Sequence, residues 1–166
     1  MEKDFQDQQA INKLKSLTDD IRFCMYTTYE NGKIQSKPMT PQDVDSNGDI
    51  WFFASKKDMA TGNRLLSESV TLIYSDPGKS SYLSLSGNAE AVEDEEKKEE
   101  LWNPMAEAWF KGGKNDPNLL MIKVATQEAA YWDNGSSKMV IFFSMLKAAV
   151  TGTTPEGGDH GTLDLM

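Results

Sequence analysis

A serine and two lysines directly follow one of the most apolar stretches of the sequence. Residues 50–54 read IWFFA, and Ser55, Lys56 and Lys57 come next. Lysine ammonium groups and a serine hydroxyl can together make charge-assisted hydrogen bonds to a phosphate group. The same residues would also suit a plain surface turn, because lysine is mostly found exposed to solvent. Two interpretations therefore stand for this segment, an exposed turn and an anion site at the end of a strand.

The net charge limits which partners the protein can have. The chain of 166 residues carries 17 basic and 26 acidic side chains, which gives a formal charge of −9 at pH 7. This balance argues against nucleic acid or an anionic membrane as the main partner, because both require a basic face. It would also repel a phosphorylated ligand unless lysines are gathered locally to receive it.

Side chains that catalyse reactions without a cofactor are scarce. The one histidine, His160, lies in a glycine-rich tail, and Cys24 is the one cysteine. Serine hydrolases, histidine-ligated metal enzymes and cysteine proteases each require an ordered histidine, so we expect none of these and no metal site. We expect Cys24 to be a small buried residue. If the protein performs chemistry, a bound organic cofactor is a better candidate than its own side chains.

The sequence shows no sign of export or membrane insertion. Its first ten residues, MEKDFQDQQA, are charged and polar, unlike a signal peptide. No apolar run approaches the roughly 20 residues that a membrane-spanning helix needs. We therefore expect a cytoplasmic, soluble protein.

Hydrophobic periodicity and turn signals predict a mainly β protein with several helices. Alternation and β-branched or aromatic content predict strands at 21–29, 34–39, 50–54, 70–75, 81–92, 119–126 and 128–133. Helical spacing predicts helices at 5–17, 93–100 and 138–150, and another that begins at Pro104. Within 93–100 we expect the charge pairs Glu93–Lys97 and Asp94–Lys98.

Short connections between these strands favour an antiparallel sheet closed as a barrel or half-barrel. We expect one domain over residues 1–152. The tail, 153–166, is too polar and glycine-rich for a core, so we expect it to be disordered or to pack on a partner. Gly87 interrupts an alternating strand, which predicts a bulge or a close backbone approach.

Several blocks, taken together and in order, resemble one known family. They are SKPMT, IWFFASKK, SGNAEAVED, LWNPMAEAWFKGGKNDPNLLMIKV and AAYWDN. The chain resembles the pyridoxamine 5′-phosphate oxidase-like FMN-binding split barrels, and within them the general stress protein subfamily, over residues 10–152. The resemblance implies an antiparallel split β-barrel and a homodimer that binds FMN in a groove between its subunits.

The resemblance also implies which residues would contact the cofactor. The KPMT segment would line the flavin ring and ribityl chain, the end of the IWFFAS strand would run along the cofactor, and the following turn would hold the phosphate. Tyr82 and Trp132 match positions that reach the flavin, Trp132 from the other subunit. The candidate cofactor-binding residues are Lys37, Pro38, Met39, Thr40, Phe53, Ala54, Ser55, Lys56, Lys57, Thr61, Tyr82 and Trp132.

The resemblance leaves the activity open. Lys138 and Val140 stand where pyridoxamine phosphate oxidases carry a substrate-binding arginine and histidine, so we do not expect true pyridoxamine 5′-phosphate oxidase activity. An FMN-dependent oxidoreductase of weak activity is one hypothesis, and a flavin-binding or flavin-storing protein without turnover is another. A third is a split barrel that binds deazaflavin or haem.

Simpler roles remain possible for some candidates. Lys37 could be an edge-strand charge that discourages aggregation. Trp102 and Trp109 are more typical of core or dimer-interface anchors than of ring contacts, because each buries a large area.

Overall fold

The computed structural model describes residues 5–59, 68–133 and 159–165. Within these ranges the helices are α1 (Asp7–Ile21), α2 (Glu95–Leu101) and α3 (Pro104–Trp109), and a short 3-10 turn spans Gly113–Asn115. The strands are β1 (Phe5–Gln6), β2 (Cys24–Glu30), β3 (Lys33–Met39), β4 (Asp43–Val44), β5 (Ile50–Ser55), β6 (Glu68–Asp76), β7 (Ser81–Ala91), β8 (Leu119–Asp133) and β9 (Asp159–Asp164).

The strands form one sheet that divides at β8. Its main path runs β1-β9-β8-β7-β6-β2-β3, and all of these pairs are antiparallel except β1 with β9. On the edge of β8 away from β7, residues 119–124 pair with β5 and residues 129–133 pair with β9. The long β8 strand therefore joins two parts of the sheet, and the prediction of an antiparallel split barrel is confirmed.

The core lies on the inner face of this sheet. Successive side chains of a strand point to opposite faces, so buried inward-facing residues alternate with more exposed ones. Strand β6, for example, alternates buried and more exposed residues from Val70 to Tyr74. The rings of Tyr26 and Phe52 meet edge to face with centroids 5.8 Å apart. Helix α1 packs its buried stripe, which includes Leu14 and Leu17, against the same core. Burying each leucine stabilises the fold by about 1.5–3 kcal/mol.

The bulge predicted at Gly87 is confirmed. The register between β7 and β8 shifts between Ser86 and Gly87. A Cβ atom added at Gly87 would lie 2.5 Å from the carbonyl oxygen of Ala125, so only glycine fits without a backbone shift. The bulge also lets β8 continue as one strand, where the sequence predicts separate strands over 119–126 and 128–133.

The predicted charge pairs on α2 are wrong. Asp94 is the N-cap of this helix, and its carboxylate accepts a hydrogen bond from the backbone N–H of Lys97 at 2.9 Å. The lysines pair three residues apart, Lys97 with Glu100 at 3.1 Å and Lys98 with Glu95 at 2.8 Å. Capping the helix terminus satisfies an otherwise unpaired backbone donor, which explains why Asp94 does not pair with Lys98.

The sequence did not predict β9. Residues 159–163 pair with the end of β8, and Leu163 is 2% exposed in the core. At least this part of the tail is therefore ordered sheet. The predicted helix at 138–150 lies outside the described residues.

Helix α1 extends to Ile21, four residues beyond its predicted end.

Among the helices that the structure describes, none is long and apolar enough to cross a membrane.

Candidate functional site

A groove of about 580 Å³ lies between the end of β3, the end of β5 and helix α3. This volume is within the usual range for sites that bind small molecules and cofactors. Its walls are mostly apolar, with a few polar side chains among them. The lining residues are Phe23, Lys37, Pro38, Met39, Thr40, Gln42, Phe53, Ala54, Ser55, Asp58, Met59, Met105, Ala106, Trp109, Phe110 and Asn118.

Two predicted segments meet in this groove although their strands do not pair. Residues 37–40 come from the end of β3, and residues 53–55 come from the end of β5. The Lys37 ammonium group ties the end of β3 to the turn after β5, since it donates a hydrogen bond to the carbonyl oxygen of Asp58 at 2.9 Å. Burial lowers the pKa of Lys37, and the nearby charges of Asp58 and Glu68 act in the opposite direction.

Asn118 holds the turn that follows β5. Its amide nitrogen donates to Ser55 Oγ at 2.8 Å, and its amide oxygen accepts from the backbone N–H of Lys57 at 3.1 Å. Its backbone oxygen accepts from the N–H of Lys56 at 2.8 Å. The Ser55 hydroxyl acts as the acceptor towards Asn118, so its own proton remains available for another acceptor.

Asn118 is in turn positioned by Asp116. The Asp116 carboxylate accepts hydrogen bonds from the backbone N–H groups of Asn118, at 2.8 Å, and of Gly112, at 3.0 Å. These bonds, Asn118 first, hold the pKa of Asp116 below its usual value. The segment before β8 is therefore ordered by a carboxylate that stays charged.

Helix α3 forms the opposite wall of the groove. Asn103 caps it by accepting from the backbone N–H groups of Met105 and Ala106 at 3.0 and 3.1 Å. The Asn103 side chain also donates to Gln42 Oε1 at 2.6 Å, which ties the helix to the segment after β3. The helix thereby places two exposed apolar side chains on the groove, Met105 at 61% exposure and Trp109 at 77%.

The two predicted phosphate lysines lie at the rim. Lys56 and Lys57 are exposed in the turn after β5, and neither lines the groove. Lys57 is close enough to Asp116 for its charge to contribute to the lowered pKa of that carboxyl group. Thr61 lies outside the described residues, as do Lys138 and Val140.

Tyr82 and Trp132 lie elsewhere, on the outer face of the sheet. They are directly opposite each other on β7 and β8, and their side chains are 37% and 48% exposed. On the same face Met25 of β2 is opposite Ile73 of β6, and these are 40% and 44% exposed. We call Met25, Ile73, Tyr82 and Trp132 the outer strip.

The outer strip reaches the groove at one end. Met25 is opposite Pro38 of β3, which lines the groove. Exposed apolar side chains therefore extend from the groove across β3, β2 and β6, and Tyr82 and Trp132 follow on β7 and β8, one diagonal step from Ile73, which is itself opposite Ser84. Several large exposed apolar side chains on one face of a sheet are typical of an interaction surface.

Sequence reasoning missed Asn118 and the wall formed by α3. The signal that could have found Asn118 is the block DPN, residues 116–118, because Asp and Asn before a strand are typical of side chain-to-backbone turns. The contact of Asn118 with Ser55 depends on the pairing of β5 with β8, which joins Ser55 to Leu119. No local sequence pattern predicts that register.

Trp109 was predicted as a core or interface anchor, and it is exposed on the groove. Trp102 packs against Phe53 with ring centroids 5.7 Å apart. Trp109 therefore lines the groove directly, and Trp102 supports its wall from behind through Phe53.

Comparison with known families gives a match over most of the chain. The sequence model of the family described as pyridoxamine 5′-phosphate oxidase like matches residues 9–156. A curated relative, the protein bli-3 of Neurospora crassa, is 28% identical over 134 residues, which cover 74% of this chain. The matched region is 64% of that relative's length, so the chain spans somewhat less than two thirds of it.

Solved structures give the same assignment. General stress protein 26 from Jannaschia sp. CCS1 is 28% identical, with a TM-score of 0.77 and coverage of 92% of this chain and 96% of that one. The general stress FMN/FAD binding protein of Xanthomonas citri is 33% identical, with a TM-score of 0.64 and coverage of 77% and 90%.

Proposed function

Because the chain belongs to the pyridoxamine 5′-phosphate oxidase-like family, we propose that it is a general-stress-type flavoprotein that binds FMN in the groove. The observation that carries this proposal is the meeting of residues 37–40 and 53–55 in one largely apolar groove. These segments are the ones that the family resemblance assigns to the flavin. The FMN/FAD binding protein of Xanthomonas citri, 33% identical, supports a flavin as the ligand.

The lining of the groove fits an isoalloxazine ring. Such a ring is flat and largely apolar, and Met39, Phe53, Met105 and Trp109 offer apolar surface to it. The polar edge of the ring needs a few hydrogen-bonding groups in an otherwise apolar site. Ser55 can donate its free hydroxyl proton, and Lys37 has two further ammonium protons beyond the one given to Asp58.

The FMN phosphate would lie at the rim of the groove. Lys56 and Lys57 are exposed there, next to Ser55, and can approach an anion by rotating their side chains. Two neighbouring ammonium groups concentrate positive charge at this point of a chain whose net charge is −9. We propose that at least one of them contacts the phosphate, while Lys37 stays with the ring and ribityl part.

A homodimer would complete the site. The outer strip is exposed in the single chain, and its Met25 end lies beside Pro38 of the groove. In a two-fold dimer the surface that contains both the strip and the groove would meet the same surface of the other subunit, because such interfaces use one self-complementary patch. We propose that Tyr82 and Trp132 of one subunit thereby cover the groove of its partner.

When bound, the flavin would supply the redox chemistry, and the chain would bind and orient it. In this proposal Ser55 and Lys37 donate hydrogen bonds to the cofactor, and the apolar walls exclude water from its ring. Whether the protein turns over is tested by oxidation of NAD(P)H with FMN bound. Absence of turnover with any electron donor would favour the flavin-storing alternative.

Titration of FMN with the purified protein tests the proposal. We expect quenching of flavin fluorescence that saturates at one FMN per chain, because stacking against Trp109 or Trp132 quenches the excited ring. Riboflavin, which lacks the phosphate, should bind more weakly. Unquenched fluorescence at high protein concentration, or a visible spectrum of haem in the purified protein, would reject FMN as the cofactor.

A further inference from the structure

Strand β9 places the one histidine of the sequence beside Trp132. His160 is directly opposite Trp132 in the β8–β9 pair, and Trp132 is directly opposite Tyr82 in the β7–β8 pair. Residues directly opposite in antiparallel strands have Cβ atoms about 4.5–5.5 Å apart and point to the same face. All three side chains are exposed. Three ring side chains therefore form a row across neighbouring strands, which we call the ring row.

The opposite face of the sheet fixes the position of this row. Leu163 of β9 is 2% exposed and belongs to the core. At the end of β8 the Asp133 carboxylate accepts from Ser81 Oγ at 2.9 Å and pairs with Lys13 of α1 at 2.5 Å. Tyr131 is fully buried and lies under the Lys13 ammonium, which is 5.1 Å from its ring centroid. The outward direction of His160 and Trp132 is thus set by anchored neighbours.

We propose that His160 is a cofactor-site residue that acts in the partner subunit's groove, next to Trp132. This inference rests on the proposed function, because it requires the ring row to cover a bound flavin. The ligand class is a planar heteroaromatic ring with hydrogen-bonding groups at its edge. An indole can stack and donate only, whereas an imidazole can stack and can either donate or accept. His160 therefore adds an edge contact that Trp132 cannot make.

Replacing His160 tests this role, with a matched control on the same strand. Thr162 also points to the outer face, and it is opposite Ala130 rather than Trp132. The variants are His160→Ala, His160→Gln and Thr162→Val, each measured for FMN affinity, visible spectrum of bound FMN, and mass by light scattering. We expect His160→Ala to bind FMN about fivefold to tenfold more weakly, the loss of roughly one hydrogen bond. His160→Gln should recover part of the affinity, and Thr162→Val should match the wild type.

Distinct outcomes separate this inference from the proposed function. If wild-type protein binds no FMN, the proposed function fails and the role of His160 fails with it. If wild-type protein binds FMN and His160→Ala binds equally well with an unchanged spectrum, only the role of His160 is overturned. An equal loss in Thr162→Val, or a monomeric mass for His160→Ala, would also overturn it, because strand stability or subunit contact would then explain the effect.

Discussion

At the residue scale, Ser55 combines a structural and a binding contact. Its hydroxyl oxygen accepts from Asn118 at 2.8 Å, which fixes its rotamer, and its proton is left for another acceptor. A donor whose position is already fixed loses little entropy when it binds a ligand. Asn118 therefore prepares the end of β5 for binding without lying at the centre of the groove.

Lys37 is partly buried, whereas Lys56 and Lys57 are exposed to solvent. Burial lowers the pKa of Lys37, and its ammonium group is held by the carbonyl oxygen of Asp58. An electron-rich group beside it would favour the charged form and raise this pKa again. The exposed lysines at the rim lose little hydration before they meet an anion, so they suit a phosphate that stays partly in solvent.

Removal of both rim lysines should weaken FMN binding. The double variant Lys56→Ala and Lys57→Ala loses the charge-assisted bonds to the phosphate, each worth about 1.5–3 kcal/mol. We expect an affinity at least tenfold lower, with riboflavin binding nearly unchanged because it has no phosphate. Parallel titrations of both ligands measure this.

The matched control removes two lysines elsewhere, Lys33 on the β2–β3 hairpin and Lys98 on α2. It lowers the net charge by the same amount, so it corrects for long-range electrostatics. Equal losses in the two double variants would show that the rim lysines make no specific phosphate contact.

At the element scale, the β7–β8 bulge beside Gly87 is the feature of the sheet that most depends on one residue. A side chain there would meet the carbonyl oxygen of Ala125 at 2.5 Å and a methyl group of Val124 at 2.9 Å. We expect Gly87→Ala to lower the free energy of unfolding by about 1–3 kcal/mol through overpacking, although a less flexible unfolded chain offsets part of this. Urea unfolding measures the change. The neighbouring variant Ser86→Ala is the control, and a Gly87→Ala variant as stable as the wild type would contradict the close approach.

Much of the sheet could be predicted from local signals. Leu83 and Leu85 alternate with polar residues, which predicts β7, and Asn31-Gly32 marks the hairpin that joins β2 and β3. Strand β9 was not predicted, because its apolar content is essentially Leu163, and a single leucine among glycine and polar residues carries no periodic signal. Strand β9 joins the sheet because it pairs with an edge of β8. That edge exists only after the sheet has folded, so a local sequence pattern does not reveal it.

The groove was predictable only in part. The segments at 37–40 and 53–55 were identified, because the family resemblance singled them out. Their meeting, the contact of Asn118 with Ser55 and the wall formed by α3 depend on how β5 pairs with β8 and how Asn103 bonds Gln42. Such contacts join residues about 60 positions apart, and no local pattern encodes them.

At the scale of the whole molecule, the outer strip predicts the oligomeric state. The strip would leave four large apolar side chains exposed to water on one face of the sheet unless a second chain covers them. We expect a dimer mass by light scattering. Ile73→Glu should shift this mass towards the monomer, because a charge at the centre of an apolar interface loses its hydration.

Ile73→Thr is the matched control, since threonine keeps the branched shape without adding charge. It should remain dimeric, and both variants should keep the wild-type far-ultraviolet circular dichroism. A monomeric wild type, or an Ile73→Glu protein that stays dimeric, would contradict the use of the outer strip as the interface.

Amide hydrogen exchange with and without saturating FMN tests the central claim most directly, because it reports where the cofactor binds. We predict slower exchange in residues 37–42, 53–59 and 103–110, which form the groove, and in residues 129–133, which would cover it in the dimer. Residues of α2 and of the β2–β3 hairpin should exchange at unchanged rates. Protection that falls outside the groove, or none at an FMN concentration that quenches flavin fluorescence, would contradict the account.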